Sequence, residues 1–172
     1  MEYYILTQDE RMKSFDKQTL NHDELRKWAK ASENPKESIF SLYVDGDCEY
    51  KDWMDRPIPM VSDELKNIFE IYQPNINWKL VVLANVRQLT QKLYWVPKLN
   101  QVDCLSQQSE WHKNGILKKM VIDREAIRTY KICNVRGSLA QETIVDLDVA
   151  ECLLKFNMSG FRLQQVETEQ SR

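Results

Sequence analysis

Between Ser62 and Val86 the chain carries a helix, a stop and a strand in immediate succession, and this stretch most narrows what it can fold into. Ser62 stands as an N-cap, and Asp63 and Glu64 complement the positive end of a helix dipole. Leu65, Ile68, Phe69 and Tyr72 recur at three- and four-residue steps and make one apolar stripe. Pro74 forbids continuation. The run from Trp78 to Val86 is the most apolar in the chain and predicts a strand covered on both faces at the centre of a sheet. A helix with a single apolar stripe must bury it, so a layered fold follows.

The same grammar returns further on, where Thr143-Ile144-Val145 precedes a capped stretch from Asp146 to Phe156 and then Gly160-Phe161-Arg162-Leu163. Laid over the first copy, Val61 matches Val145, Ser62 matches Asp146 as cap, Leu65 matches Val149, Phe69 matches Leu153 and Tyr72 matches Phe156. One residue drops out in the turn, after which Asn77 to Leu80 aligns with Gly160 to Leu163. This predicts two copies of one extended-segment, helix, strand unit.

Elsewhere, β-branched and aromatic enrichment predicts strands over 3–6, 39–44, 92–96, 116–122 and 130–135, with Cys48-Glu49-Tyr50 pairing back on 39–44 as a hairpin. A short amphipathic helix is predicted over 21–29, ending before Asn34-Pro35, and a single helical turn over 123–127. The stretch 7–17 reads as polar surface and 167–172 as a frayed tail. Helices inserted irregularly among strands give the expected class: α+β, one domain over 1–172, a mixed or mainly antiparallel sheet, two similar capped-helix/strand units and an N-terminal helix.

Composition removes several kinds of chemistry. Lys and Arg number 24 against 26 Asp and Glu, a net charge of −2, too weak a field to argue for nucleic acid or an anionic membrane. No apolar run approaches the roughly 20 residues of a membrane span, and Met1 to Leu6 lacks a basic leader and a long apolar core, so a cytoplasmic location is expected. The four cysteines form no CxxC pair and read as free, mostly buried thiols, and four glycines leave little from which to build a phosphate loop. His22 and His112 lie among charged and polar residues, no G-x-S-x-G elbow exists, and no His and Cys cluster at zinc spacing. No catalytic residue, metal ligand or cofactor-binding residue is therefore expected.

Charge is nonetheless uneven. Asp45, Asp47, Glu49, Asp52, Asp55, Asp63 and Glu64 gather between positions 45 and 64 against only Lys51 and Arg56. The segment reads as a solvated loop or as an interaction surface; it lacks the twelve-residue calcium-loop pattern. As a surface it would use acids around two large aromatics, making Asp45, Asp47, Glu49, Tyr50, Asp52, Trp53 and Asp55 the candidate partner-binding residues. From 105 to 136, seven Lys and Arg face three acids and alternate with apolar residues, as on one solvent face of a sheet. They lack interleaved stacking aromatics, so nucleic acid is not the expected partner.

Taken together, Ile58-Pro59-Met60-Val61-Ser62-Asp63-Glu64-Leu65-Lys66, Leu93-Tyr94-Trp95-Val96, Gln101 to Leu105, Ile132 to Gly137 and Gly160 to Leu163 resemble a bacterial immunity-protein family of polymorphic toxin systems. Its members open with a Tyr-rich strand like Met1 to Leu6. The likeness spans the opening strand and about 57–166; residues 7–50 depart most, and Val145-Asp146-Leu147-Asp148 stands where members repeat a Val-Ser-x-x-Leu cap. The resemblance implies a small cytoplasmic α+β antidote that binds a cognate toxin and carries no catalytic residues. With a cytosolic site of action, the toxin would be a nuclease or nucleotide-modifying enzyme, its basic cleft covered by the acidic segment 45–55, and reversing Asp52 and Asp55 together would slow association. A stand-alone carboxylate-dependent enzyme and an adaptor for a non-toxin partner are the alternatives.

Overall fold

Two side-chain caps start the two repeated helices: Ser62 Oγ accepts the Leu65 N–H at 3.2 Å, and the Asp146 carboxylate accepts the Val149 N–H at 3.0 Å. The structure, a computed structural model, describes residues 1–13, 19–31 and 39–169. In chain order the first part holds β1 (Tyr3–Gln8), α1 (His22–Lys30), β2 (Ile39–Val44), β3 (Trp53–Met54), β4 (Met60–Val61), α2 (Asp63–Tyr72), β5 (Asn77–Asn85) and β6 (Thr90–Lys98). There follow β7 (Gln101–Val102), β8 (Glu110–Trp111), β9 (Leu117–Lys119), β10 (Val121–Asp123), α3 (Arg124–Ile127), β11 (Ile132–Val135), β12 (Thr143–Asp146), α4 (Leu147–Lys155) and β13 (Phe161–Glu169).

These strands make a five-stranded sheet in the order β2-β5-β6-β4-β3, a six-stranded sheet in the order β10-β13-β1-β12-β11-β7, and a separate β8-β9 ribbon. In the first sheet β2 runs parallel to β5, and β5-β6, β6-β4 and β4-β3 are antiparallel. In the second, β10 runs parallel to β13, and β13-β1, β1-β12 and β12-β11 are antiparallel. The first sheet's order corresponds to five strands of the second, with β7 as an extra edge strand, and the fold is α+β as expected. The place that β6 takes by a hairpin is filled in the second sheet by β1. Each helix links two parallel strands across an intervening antiparallel one: α2 links β4 to β5, and α4 links β12 to β13.

The two helices meet over a shared core. Val61, Leu65, Ile68 and Phe69 from the first unit join Val145, Val149, Ala150 and Leu153 from the second. The far face of the first sheet is covered by α1, where Leu25 and Trp28 pack with Leu42, Val81, Leu83 and Tyr94. Lys79 ties that helix down, its ammonium donating to the carbonyls of Trp28 and Ala31 at 2.9 Å each. The far face of the second sheet buries Tyr3, Ile122, Ile127, Cys133 and Ile144.

Several expectations are corrected. Cys48-Glu49-Tyr50 forms no hairpin; the strand after the turn, β3, pairs with β4. The predicted strand 116–122 breaks at Met120 into β9 and β10, which join different sheets. Tyr72 is half-buried but its match Phe156 is 59% exposed, so the repeat's stripe ends a turn earlier in α4. Residues 167–169 are not frayed, because they pair in parallel with Val121–Asp123. Of the polar stretch 7–17, Thr7 and Gln8 belong to β1 and 14–17 lie outside the described residues, as do Asn34-Pro35 and 170–172. Trp78–Val86 does form a long strand, but β5 is the second strand of its sheet and only one of its faces is fully covered.

Candidate partner-binding site

The structure divides the seven candidate residues into two groups. Asp45, Asp47 and Glu49 are exposed on the loop that leaves β2. That loop is held to the frame: Val86 N–H donates to the Val44 carbonyl at 2.9 Å, and the buried Asn85 amide donates to the Gly46 carbonyl at 2.7 Å. Gly46 itself is buried, so the loop lies flat on the sheet end with its carboxylates outward. Arg87 pairs with Asp45 at 3.1 Å; Tyr50 is half-buried with the Lys92 ammonium 5.3 Å over its ring.

The other three residues are bound into the fold, and burial corrects the expected contact role of Trp53. Trp53 is 1% exposed inside the shared core, its ring 6.4 Å from that of Phe69. Asp52 is a clamp between the two units: it accepts from Ser62 Oγ at 2.8 Å and from both N–H and Oγ of Ser159 at 2.7 Å. Asp55 exchanges two bonds with Gln8, accepting from its N–H at 2.8 Å and donating its own N–H to the Gln8 side chain at 3.0 Å. Reversing Asp52 and Asp55 would break the join between the sheets before it tested any interface.

Asp55 also lines an open cleft of about 1190 Å³ between the two sheets, together with Gln8, Trp53, Arg56, Thr143 and Arg162. Bases and acids alternate around it, Arg26, Lys30, Arg56 and Arg162 against Glu10, Asp55 and Glu142, so it selects no single sign of ligand charge. Of the seven basic residues over 105–136, four stand in ion pairs. Lys118 pairs with Glu110 at 2.8 Å, Lys119 with Glu167 at 2.8 Å, and Arg128 with Glu125 at 3.1 Å. Lys131 reaches Asp146 at 2.5 Å and Asp148 at 2.6 Å, and these two carboxylates raise its pKa.

The cysteines lie on the inert side of thiol chemistry. Burial pushes Cys48 and Cys104 up to about 11 and Cys133 up to about 12, the direction opposite to that of an activated nucleophile. Among the described residues no three His, Cys, Asp or Glu side chains converge as a metal site would require.

What the sequence reading missed is a surface. On the β5-β6 face that α2 reaches, the helix covers one end only. Lys66 sits 5.4 Å from the Trp78 ring and 5.0 Å from the Trp95 ring, and the Trp95 indole donates to Asp63. Beyond that end, among the described residues nothing covers Leu93, which is 44% exposed, or Tyr43 at 44% and Ile39 at 58%. No family model matches the chain, and no curated protein matches it significantly.

Proposed function

We propose that this chain is an antidote of the immunity-protein kind, which binds a cognate cytosol-acting toxin and covers its active site. The single observation that carries the reading is the loop Asp45–Glu49: three exposed carboxylates fixed to the sheet end by Asn85 and Val86 rather than left on a flexible tether. A pre-ordered acidic loop loses little entropy on docking and accelerates encounter with a basic cleft, which is what inhibition of a nuclease-like or nucleotide-modifying toxin demands. The raised thiol pKa values of Cys48, Cys104 and Cys133 agree with a scaffold that works by contact. Its residence would be the cytoplasm, where such a toxin acts.

The test is to read the genes beside this one and to co-express the chain with any small toxin-like domain they encode, reading host survival, together with binding kinetics of the purified pair. Wild type should protect. The triple reversal Asp45→Lys, Asp47→Lys, Glu49→Lys should lower the association rate by about 10-fold or more and flatten its salt dependence. Lack of protection by the wild-type chain would overturn the reading, and unchanged kinetics in the triple variant would remove the loop from it.

A further inference from the structure

Resting on the antidote reading, we propose that the face of β2, β5 and β6 left uncovered by the described residues is the seat of the partner, and that its occupant is a different protein presenting an apolar surface ringed by Lys and Arg.

The face follows from the register. Leu80 stands opposite Trp95, Val82 opposite Leu93 and Ala84 opposite Gln91, while Ile39, Ser41 and Tyr43 of β2 pair with Leu80, Val82 and Ala84. Side chains alternate across a strand, so these positions share one side of the sheet, and none carries a charge. Leu80, Val82 and Ala84 are half-buried, and Ile39, Tyr43 and Leu93 are exposed. An open face of a largely antiparallel sheet ordinarily turns polar residues to water.

The second sheet supplies an internal control. Continuing the alignment of Leu80 with Leu163 along β13, Val82 corresponds to Gln165 and Ala84 to Glu167, both exposed. Tyr4 faces Gln165 across the ladder, so it is the counterpart of Leu93, and its hydroxyl donates to Glu2 at 2.9 Å. The same strand order thus tolerates a polar face at these positions. Folding does not require the apolar one, which leaves recognition as its use.

Two further observations choose the occupant. The outer edge of β2 is taken: Leu20 N–H donates to the Tyr43 carbonyl at 3.0 Å, and the Asn21 side chain bonds the Ser41 carbonyl and the Tyr43 N–H at 3.0 Å each. A partner must therefore come onto the face, not add a strand to this edge. The rim is acidic, with Asp45, Asp47 and Glu49 at one end and Asp63 and Glu70 at the other. Against these five stand, among the described residues, Lys66, bound to Glu70, Arg87, bound to Asp45, and Lys92 over the Tyr50 ring, a net of −2. A second copy would bring like charge against like. From strand spacing and rise, the apolar centre covers roughly 250 Å², enough for the middle of an interface but far below the area of a stable homodimer. A basic ring around an apolar centre is the complement it fits.

The deciding variant grafts the second sheet's residues onto the first: Val82→Gln, Ala84→Glu and Leu93→Tyr in the full chain. The probe is whichever toxin-like domain encoded beside this gene the wild-type chain neutralises in co-expression, with titration to obtain Kd, sedimentation of the antidote alone, and circular dichroism and Tm as controls. Leu93→Ser alone is the second variant, should the triple one fold poorly. The expected result is a monomeric wild type and a Kd raised at least 100-fold by the graft with Tm preserved. Wild-type affinity in both variants overturns the face and leaves the antidote reading standing. A wild-type dimer that the graft dissociates makes a second copy the occupant and overturns the choice made here. A wild-type chain that neutralises none of the toxin-like domains encoded beside it overturns the antidote reading, and the occupant with it.

Discussion

The two sheets of this molecule share a strand order, a helix crossover and a side-chain cap, yet they treat the same stretch of surface in opposite ways. In the second sheet Gln165 and Glu167 face water; at the matching positions in the first stand Val82 and Ala84. The difference separates what the architecture demands from what it merely allows. Val61 and Val145, fully buried beneath the two helices, are alike because both lie in the shared core. The residues beyond reach of the helices differ because packing places no constraint on them, and there selection for contact with another molecule can act.

The comparison can be broken most severely by deleting residues 1–8. This removes β1 from the middle of the second sheet and takes no strand from the first. Because Leu6 also lies in the shared core, we expect a loss of at least about 4 kcal/mol, with amide protection in β12 and β13 abolished first. Simultaneous loss of protection in β5 and β6 would mean that the two sheets form one cooperative unit. A smaller effect is expected of Gly160→Ala, set against its counterpart Asn77→Ala. Gly160 has φ +95° and a Cβ there would stand 2.4 Å from the Trp53 carbonyl, whereas Asn77 is exposed. Urea unfolding should give about 2–4 kcal/mol for the glycine and less than about 0.5 for the asparagine.

Alkali should act more gently, mainly through the second sheet. Cys104 and Cys133 lie in its far core and Cys48 in the first sheet's, all with pKa raised by burial from the ordinary 9.0. A raised value in the folded state means that the thiol contribution is fully present below pH 9 and is lost as pH rises through about 11 and 12. The urea midpoint should fall between pH 9 and 12, and the fall should shrink in Cys104→Ala, Cys133→Ala. Least of all should the face graft matter to stability: because Val82, Ala84 and Leu93 are only partly covered, its urea midpoint should correspond to a change within about 0.5 kcal/mol. A larger cost would show that the apolar face is structural.

The helices and their caps were legible because their signals are local. Ser62 and Asp146 are cap residue types one position before an apolar stripe, and both form the bonds that this position predicts. The candidate site was only partly legible, since its meaning depends on distant residues. Asp52 counts as one more acid until Ser159, 107 positions away, is seen to satisfy it. Trp53 looks like an anchor until Phe69 is found against it. The run from Trp78 to Val86 announced two apolar faces, and two exist. A strand's composition cannot say whether the cover for its second face comes from its own chain, and here α2 covers one end alone. The insertion of β1 between β12 and β13 leaves no local trace at all.

That insertion has a consequence for how the protein is made. Tyr3–Gln8 leaves the ribosome well before both of its ladder neighbours, Thr143–Asp146 and Phe161–Glu169. At ordinary translation speeds the wait is roughly 10 to 30 s, during which Tyr3, Ile5 and Leu6 have no native neighbours on either side. A newborn chain in that interval is a natural client for a holding chaperone.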